Sequence, residues 1–254
     1  MDRKRFEGKS IVVTGAATGI GRAAAIAFAS EGGRVAVVDV NENEAQHTVS
    51  LIEKNGGEAF FLRVDVSSNA ETEAMVAKTV ERYGRLDVAF NNAAISGPPE
   101  FTLVDTDEKV WDKIIDIDLK SVFLCMKHEI RAMLNTGGGA IVNTASVAGL
   151  VGLRNRPAYV AAKHGVVGLT RAAALEYAAS RVRINAICPG GIDTAMIADI
   201  KQVPGMWEAA AAKHPIARFG KPEEIASAAL FLASAESGFM VGHPMTVDGG
   251  VTVQ

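Results

Sequence analysis

Three polar side chains in the middle of the chain have the types and spacing that proton transfer at an alcohol or carbonyl oxygen requires. Tyr159 and Lys163 are four residues apart in a helix-forming stretch, so their side chains share one helix face. An ammonium group beside a phenol stabilises the phenolate, which lets the tyrosine act as a general acid/base. Ser146 ends a predicted strand upstream of them, and its hydroxyl can hold the same substrate oxygen.

The Tyr-x-x-x-Lys spacing alone is a weak pattern, because an ordinary surface pair on a helix has the same spacing. Ser146 favours a catalytic interpretation, since it supplies a second hydroxyl at a strand end. A hydrolase nucleophile is disfavoured: Ser146 is flanked by Thr144 and Ala148 rather than by the glycines of a Gly-x-Ser-x-Gly elbow.

A glycine-rich turn near the start of the chain offers a place for phosphate groups. The β-branched run at residues 10–14 is followed by Gly15, Gly19 and Gly21 and then by an alanine-rich helical stretch. Glycines at a strand-to-helix turn let a pyrophosphate approach backbone N–H groups at the positive end of a helix. A tight turn without a ligand has similar glycines, but the preceding strand and an acidic residue after the next strand favour a dinucleotide site.

Asp39 is that acidic residue, and it ends the predicted strand at residues 35–39. A carboxylate at this point accepts hydrogen bonds from an adenosine ribose and repels a 2′-phosphate. Neither Thr18 nor Val40 is basic, so neither would attract that phosphate. We therefore predict NAD rather than NADP. The alternative is that Asp39 caps the helix that begins near Asn41.

Apolar strands and helical stretches alternate along the chain, which predicts an α/β fold built from parallel βαβ units with right-handed crossovers. In such a sheet the ligand crevice lies at the carboxyl ends of the strands, where Gly15, Asp39, Asp65 and Asn92 are expected. The predicted helices span residues 22–31, 42–55, 70–83 and 106–134, and the predicted strands include residues 35–39, 59–64, 86–90, 140–144 and 182–188.

Length and composition limit the class of protein. The chain has 254 residues, 48% of them hydrophobic and 22% charged, which is typical of a globular enzyme, and we expect one domain spanning residues 1–254. A net charge of −3 argues against a nucleic-acid partner, and no apolar run is long enough to span a membrane. Cys125 and Cys188 lack disulfide or metal-ligand spacing and the histidines are scattered, so we expect a cytoplasmic protein with reduced thiols and no catalytic metal.

Together these motifs resemble the short-chain dehydrogenase/reductase family, in the branch whose subunits have about this length, over nearly the whole chain. The matching segments are Thr14-Gly15-Ala16-Ala17-Thr18-Gly19-Ile20-Gly21, Asp65-Val66, Asn91-Asn92-Ala93-Ala94, Ser146, Tyr159 with Lys163, Pro189-Gly190-Gly191-Ile192-Asp193-Thr194 and Val247-Asp248-Gly249-Gly250. The resemblance implies a three-layer Rossmann-like fold, with helices on both faces of a doubly wound parallel sheet of about seven strands.

The resemblance also implies roles in hydride transfer with a nicotinamide cofactor. Tyr159 would be the acid/base, Ser146 would orient the carbonyl, and Lys163 would hold the ribose and tune Tyr159. Asp65 and Val66 would contact the adenine, and Asn92 would lie behind the cofactor. Ile192 and Thr194 would contact the nicotinamide end. The other cofactor-binding residues implied by these segments are Gly15, Thr18, Gly19, Ile20, Gly21, Ala93, Pro189 and Gly190. Relatives of this kind form homotetramers, which implies the same assembly here.

Two positions depart from the family pattern. Ala94 replaces a glycine, which is a small change. Asp118 stands in Ile-Asp-Ile-Asp-Leu-Lys where the family usually has an asparagine that anchors a water linked to Lys163. Aspartate is nearly the same shape, so we expect the substitution to be tolerated and assign Asp118 to the catalytic set. If its side chain takes part, a negative charge would stabilise the ammonium form of Lys163 and move the pH optimum upward.

The span from residue 191 to 219 is the least regular part of the chain and contains Met196, Ile197, Met206 and Trp207. We predict that it is a lid over substrate and nicotinamide, although plain packing is the alternative for each apolar residue. The pocket is expected to be largely apolar. Arg154 and Arg156 could bind an anionic group, but a solvated loop is the favoured interpretation of both.

The sequence therefore predicts an NAD-dependent dehydrogenase of secondary alcohols, or reductase of the matching ketones, with a small-molecule substrate. A 3-oxoacyl thioester reductase of the same family is an alternative, but that activity usually goes with NADP, which Asp39 disfavours. A scaffold that binds NAD without turnover is the alternative from another class. The presence of Ser146, Tyr159 and Lys163 together argues against it.

Overall fold

A computed structural model of the protein describes residues 4–97 and 101–254. Seven strands form one parallel sheet in the order β3-β2-β1-β4-β5-β6-β7. The strands are β1 Ser10–Thr14, β2 Arg34–Asp39, β3 Glu58–Arg63, β4 Val88–Asn91, β5 Gly139–Thr144, β6 Val182–Pro189 and β7 Pro244–Val247. The chain winds outward in one direction from β1 to β3 and in the other from β4 to β7. The switch point therefore lies between β1 and β4, where a ligand crevice is expected in such a fold.

Eight α-helices occur among the described residues: α1 Gly19–Ser30, α2 Glu42–Lys54, α3 Asn69–Tyr83, α4 Glu108–Ile115, α5 Ser121–Asn135, α6 Pro157–Tyr177, α7 Met206–Ala211 and α8 Pro222–Ala233. Local sequence sets several of their ends. The side chain of Asn41 accepts a hydrogen bond from the N–H of Glu44 and caps α2, and Ser68 caps α3 in the same way. Gly84 ends α3 in the left-handed conformation that glycine favours.

Side-chain alternation in the strands produces two apolar layers, one on each face of the sheet. In β1, Ile11 and Val13 pack with α1, α2 and α8, whereas Val12 faces the layer that contains α3, α5 and α6. These three β1 side chains are fully buried, as expected for a strand covered by helices on both faces. The predicted doubly wound, three-layer Rossmann-like fold is therefore confirmed.

The predicted helix at residues 106–134 is interrupted in its middle. Asp116–Lys120 forms a π-helical segment between α4 and α5, so the backbone hydrogen bonds shift register at Asp118. Periodicity does not locate this change, because apolar residues keep helical spacing within each of the two flanking helices. The other predicted elements differ from the observed ones by a few residues at their ends.

Three observations concern the general class of protein. Cys125 and Cys188 are both buried and free, in agreement with the predicted reduced thiols. Within residues 4–97 and 101–254, no helix combines the length and apolar character needed to cross a bilayer. In the predicted lid, Ala195–Gln202 forms a 3₁₀ helix and α7 follows it, so this span is more ordered than its sequence suggested.

Candidate active site

A cleft of about 510 Å³ opens at the carboxyl ends of the central strands, at the switch point of the sheet. It collects residues from the glycine-rich turn, the ends of β2, β4, β5 and β6, the start of α6 and the lid. Its lining residues are Gly15, Thr18, Gly19, Ile20, Asp39, Asn92, Ala93, Ala94, Ser96, Thr144, Ala145, Ser146, Val147, Leu153, Arg156, Tyr159, Lys163, Pro189, Gly190, Gly191, Ile192, Thr194, Ala195, Met196 and Ile197.

The two central strand ends are held together by Thr14. Its side-chain Oγ1 accepts hydrogen bonds from the N–H groups of Asn92, at 2.9 Å, and Ala93, at 3.1 Å. The Asn92 amide in turn donates to the carbonyl oxygens of Thr14 and Gly15. This network fixes the glycine-rich turn against the end of β4 and forms the floor of the cleft.

Glycine is required at two positions of this turn by close backbone approach. A Cβ on Gly15 would lie 2.8 Å from the Cα of Ala93, and Gly15 has a φ of +63°. A Cβ on Gly21 would overlap the carbonyl oxygen of Gly15 and lie 2.8 Å from the Asn92 amide nitrogen. The turn is therefore shaped by the absence of side chains, as a backbone cradle for a pyrophosphate at the N-terminus of α1 must be.

Asp39 lies at one end of the cleft and is tied to the glycine-rich turn. Its Oδ2 accepts from the N–H of Ala17 at 3.0 Å, and its Oδ1 accepts from the N–H of Asn41 at 2.9 Å. The helix cap of α2 is Asn41 and not Asp39, so the alternative interpretation of Asp39 as that cap does not describe this structure. The carboxylate instead joins the end of β2 to the glycine-rich turn and lines the cleft.

Arg22 on α1 is already engaged by other groups. Its Nη2 lies 2.6 Å from the Glu44 carboxylate and close to the carbonyl oxygen of Ala17, and its Nε donates to Thr48 Oγ1 at 3.0 Å. The guanidinium charge is thus compensated by Glu44. Arg22 therefore does not provide an uncommitted cation for a 2′-phosphate.

The three predicted acid–base residues line the same cleft. Lys163 is 1% exposed, and its Nζ lies 5.5 Å from the centre of the Tyr159 ring and donates to the carbonyl oxygen of Thr144 at 3.2 Å. Ser146 Oγ accepts from the N–H of Ala148 at 3.1 Å. A hydroxyl that accepts one hydrogen bond keeps its own O–H for donation, so Ser146 can donate to an oxygen in the cleft.

Asp118 lies behind Lys163 and is fully buried. Its Oδ1 accepts from the N–H of Ile95 at 2.8 Å, and its Oδ2 lies 3.5 Å from Lys163 Nζ. Burial raises the pKa of the Asp118 carboxyl, while the Lys163 ammonium and the Ile95 N–H oppose that rise. The carboxylate therefore touches the lysine directly and also fixes the segment that follows β4.

The lid borders the cleft and is anchored at its base. The N–H of Gly191 donates to His214 Nε2 at 3.0 Å, and Ile192 pairs with Gly220 in a parallel bridge. Met196 and Ile197 line the cleft, whereas Trp207 packs on Phe219 with ring centres 4.2 Å apart. The apolar residues of the lid thus divide between the cleft and local packing.

Three predicted site residues besides Asp118 do not line the cleft. Gly21 lies under the glycine-rich turn and supports Gly15. Asp65 accepts hydrogen bonds from the backbone and hydroxyl of Ser67, and Val66 is buried in the core layer beside α3. All the other residues predicted to bind the cofactor or take part in proton transfer line it.

Sequence motifs missed several lining residues. Ser96 and Arg156 belong to none of the motifs, whereas Leu153 agrees with the expected apolar pocket. Arg156 is half-buried along the cleft, so the favoured interpretation of it as part of a solvated loop does not describe its position. Arg154, two residues earlier, is exposed and does not line this cleft. No sequence signal distinguishes these two arginines, since both lie in the same irregular stretch.

A doubly wound parallel sheet with a glycine-lined cleft at its switch point defines a dinucleotide-binding α/β protein of the Rossmann type. A family model described as enoyl-(acyl carrier protein) reductase matches residues 15–252. The chain belongs to the short-chain dehydrogenase/reductase family, whose members are oxidoreductases that use nicotinamide cofactors.

Individual relatives are similar over nearly their whole length. Cyclohexanol dehydrogenase of Acinetobacter sp. (strain SE19) is 43% identical over 249 residues, which cover 98% of this chain and 96% of the relative. Cis-4-hydroxycyclohexanecarboxylate dehydrogenase of Sinomonas cyclohexanicum is 42% identical, with coverage of 97% and 98%. The crystal structure of levodione reductase superposes with a TM-score of 0.94 at 37% identity, covering 98% of this chain and 99% of that one.

Proposed function

We propose that the protein is an NAD-dependent oxidoreductase that interconverts a secondary alcohol and its ketone, with Tyr159 as general acid/base. The observation that carries the proposal is the presence of Ser146, Tyr159 and Lys163 along one cleft, together with the glycine-rich turn and Asp39. One cavity therefore combines a place for a dinucleotide with the groups that transfer a proton at a substrate oxygen.

The chain fits a nicotinamide dinucleotide at two points. The backbone around Gly15, Gly19 and Gly21 is free of side chains where the pyrophosphate would lie, and Asp39 is positioned for the adenosine ribose. Lys163 would hold the second ribose, and Ile192 and Thr194 would border the nicotinamide end. When bound, the nicotinamide accepts a hydride from the alcohol carbon or returns it to the ketone.

The protein side of the reaction is a proton transfer. In alcohol oxidation the Tyr159 phenolate takes the hydroxyl proton as the hydride leaves the carbon, and in ketone reduction the Tyr159 hydroxyl gives it back. Ser146 donates a hydrogen bond to the same oxygen and holds it against Tyr159. Lys163 stabilises the phenolate through its positive charge, and Asp118 positions the Lys163 ammonium from behind.

NAD rather than NADP is favoured by charge at the ribose end. The Asp39 carboxylate would repel a 2′-phosphate, and the guanidinium of Arg22 is compensated by Glu44. Val40, the residue after Asp39, is exposed and apolar and offers no hydrogen bond to a phosphate.

The substrate we propose is a secondary alcohol on a six-membered carbon ring, or the corresponding ketone. Two relatives more than 40% identical act on such compounds by name, cyclohexanol and cis-4-hydroxycyclohexanecarboxylate. Val147, Leu153, Ile192, Met196 and Ile197 give the cleft apolar surface suited to ring carbons.

A 3-oxoacyl thioester reductase is the second candidate; the matching family model is described as an enoyl-(acyl carrier protein) reductase, an activity that also acts on an acyl thioester but reduces a C=C bond rather than a ketone. The Asp39 carboxylate disfavours NADP, the cofactor that 3-oxoacyl thioester reduction usually uses. A scaffold that binds NAD without turnover would have no need for three proton-transfer side chains in the same cleft.

The experiment is an absorbance assay at 340 nm of cyclohexanol, other cyclic and open-chain alcohols, their ketones and a 3-oxoacyl thioester, each with NAD(H) and NADP(H). We expect turnover of cyclic secondary alcohols with NAD and a loss of at least about 100-fold in kcat for Tyr159→Phe. Tyr177→Phe is a matched control on the same helix, at a residue that does not line the cleft. Full turnover by Tyr159→Phe, or no nucleotide binding by the wild type, would refute the proposal.

Three further parts of the proposal concern the whole protein. The chain would act as one domain over residues 1–254, with residues 191–219 as the substrate lid. It would assemble as a homotetramer in the cytoplasm, without a nucleic-acid or membrane partner. Sedimentation analysis of the purified protein tests the assembly. The two free, buried thiols fit a reducing compartment.

A further inference from the structure

Arg156 occupies a distinctive place beside the proton-transfer residues. It is the residue before α6 begins, three positions before Tyr159, and it is half-buried. Its side chain lines the main cleft together with Ser146 and Leu153, and it also lines a smaller pocket that includes Tyr159. A positive charge therefore borders the part of the cleft where the substrate of Tyr159 must lie.

The charges around this part of the cleft are unequal. The cleft is lined by one carboxylate, Asp39, at its dinucleotide end, and by the two cations Lys163 and Arg156. Lys163 has Asp118 at 3.5 Å. Within residues 4–97 and 101–254, no carboxylate lies within 4.0 Å of the Arg156 guanidinium. The charge of Arg156 is thus not compensated by the described residues.

One edge of the Arg156 guanidinium, formed by Nε and Nη2, makes no hydrogen bond to the described residues. Its Nη1 donates to the carbonyl oxygen of Ser96 at 2.8 Å, which fixes the side chain against the segment after β4. Nε and Nη2 donate to no described residue, although a guanidinium has five N–H groups to share. The first turn of α6 has no acidic residue, so the helix dipole adds positive potential at the same place.

We infer that Arg156 binds a carboxylate carried by the substrate on the far side from the reacting carbon. The substrate class is then a hydroxylated carboxylic acid, or the keto acid formed from it, with the carboxylate paired to the planar fork of Arg156 and the hydroxyl held by Tyr159 and Ser146. This inference rests on the proposed function and adds to it the anionic group and the residue that selects it.

The experiment compares a charged and a neutral substrate that share the reacting ring, cis-4-hydroxycyclohexanecarboxylate and cyclohexanol, with NAD. Four proteins are assayed: wild type, Arg156→Gln, Arg156→Lys and Arg154→Gln, the last being the matched control at the exposed arginine. A second readout, independent of turnover, is calorimetric binding of cyclohexanecarboxylate, measured with and without NADH.

We expect wild type to favour the carboxylated alcohol in kcat/KM by about 10- to 100-fold. Arg156→Gln should lose that preference mainly through KM, with less than about threefold change for cyclohexanol, and should bind cyclohexanecarboxylate correspondingly more weakly. Arg156→Lys should recover part of the preference, because it keeps the charge without the fork. Arg154→Gln should behave as wild type.

The outcomes separate the two levels of the proposal. If the wild type oxidises cyclohexanol but neither prefers the carboxylated alcohol nor binds cyclohexanecarboxylate, the role of Arg156 is refuted and the proposed function stands. An equal loss of kcat/KM on both substrates in Arg156→Gln would also refute it. Such a loss would show that the side chain has only a structural role, through its hydrogen bond to Ser96. If neither alcohol is oxidised, the proposed ring substrate is wrong, and the calorimetric comparison of wild type and Arg156→Gln still decides whether Arg156 binds a carboxylate.

Discussion

Asp118 Oδ2 lies 3.5 Å from Lys163 Nζ, and neither side chain has more than 1% of its surface exposed. This separation is longer than a typical charge-assisted hydrogen bond, so the pair is an ion pair of imperfect geometry in a buried site. The second carboxylate oxygen is held by the N–H of Ile95. Asp118 therefore joins the segment after β4 to the lysine that faces Tyr159.

Asp118→Asn tests whether the negative charge matters for catalysis. The amide keeps the shape and can still accept the Ile95 hydrogen bond, so we expect kcat within about tenfold of wild type. The pH optimum should move downward, because the Lys163 ammonium loses its counter-charge and stabilises the Tyr159 phenolate more strongly. The measurement is kcat and kcat/KM from pH 5 to 10. Asp118→Ala, which removes both contacts, is the comparison.

A rise of several hundredfold in activity in Asp118→Asn would contradict this expectation. It would show that the aspartate impairs the natural protein rather than replacing an asparagine without harm. An unchanged pH dependence of kcat and kcat/KM would show that the carboxylate charge does not influence proton transfer by Tyr159.

Asp39→Asn tests the choice of cofactor. The amide keeps an oxygen for the N–H of Ala17 but lacks the charge that would repel a 2′-phosphate. We expect the ratio of kcat/KM for NAD over NADP to fall by about tenfold or more. The amide nitrogen cannot accept the N–H of Asn41, so a small fall in thermal unfolding temperature is expected as well. Glu44→Gln is a useful second variant, because it leaves the charge of Arg22 uncompensated while its contacts with Thr48 and Ala17 remain.

The assignment of NAD would be wrong if wild type used NADP(H) more efficiently than NAD(H). An unaltered cofactor ratio in Asp39→Asn would show that another feature of the cleft sets the preference.

Gly21→Ala tests the backbone cradle. Because the new Cβ would overlap the carbonyl oxygen of Gly15, the turn and the start of α1 must move apart. We expect a loss of dinucleotide affinity of at least about 100-fold and a fall in stability of about 1–3 kcal/mol. Nucleotide binding by calorimetry and unfolding in urea measure the two effects.

Gly168→Ala is the matched control for this substitution. Gly168 lies in the middle of α6, where an added Cβ meets no atom within 4 Å. In a helix interior the alanine should be neutral or stabilise the fold by up to about 1 kcal/mol. Equal affinity for the nucleotide in Gly21→Ala and wild type would exclude the close approach described for this turn.

Glu129→Gln tests a buried acid beneath the cleft. Glu129 is fully buried on α5, accepts from the Asn91 amide at 2.9 Å, and burial raises its pKa to about 8. In the unfolded chain the carboxyl has its ordinary pKa of 4.5. Between these values the folded state holds a proton that the unfolded state releases, so stability falls as pH rises from about 4.5 to about 8.

One such group contributes a slope of at most about 1.4 kcal/mol per pH unit to the free energy of unfolding. The glutamine variant lacks the titrating group, so its unfolding free energy should decline less over this range. Urea denaturation at pH 5, 6, 7 and 8 provides the comparison. Parallel pH curves for the two proteins would mean that Glu129 is ionised in the folded state.

Much of the architecture and of the site was predictable because the signals are local. Apolar runs that end in Thr14, Asp39 and Thr144 identify buried parallel strands, and their carboxyl ends meet at one edge by topology alone. The glycine spacing and the four-residue interval from Tyr159 to Lys163 express backbone geometry that does not depend on distant residues.

The tertiary structure decided what depends on packing between distant segments. It determined that Asp118 touches Lys163, that Asn41 rather than Asp39 caps α2, and that Arg156 lies along the cleft while Arg154 is exposed. A sequence gives the order of side chains and the period of each element, but the direction of a loop side chain is set by the surfaces that pack around it. The sequence by itself therefore determined the spacing of Ser146, Tyr159 and Lys163, the residues proposed for proton transfer, whereas the groups that contact them and border the same cleft were decided only by the fold.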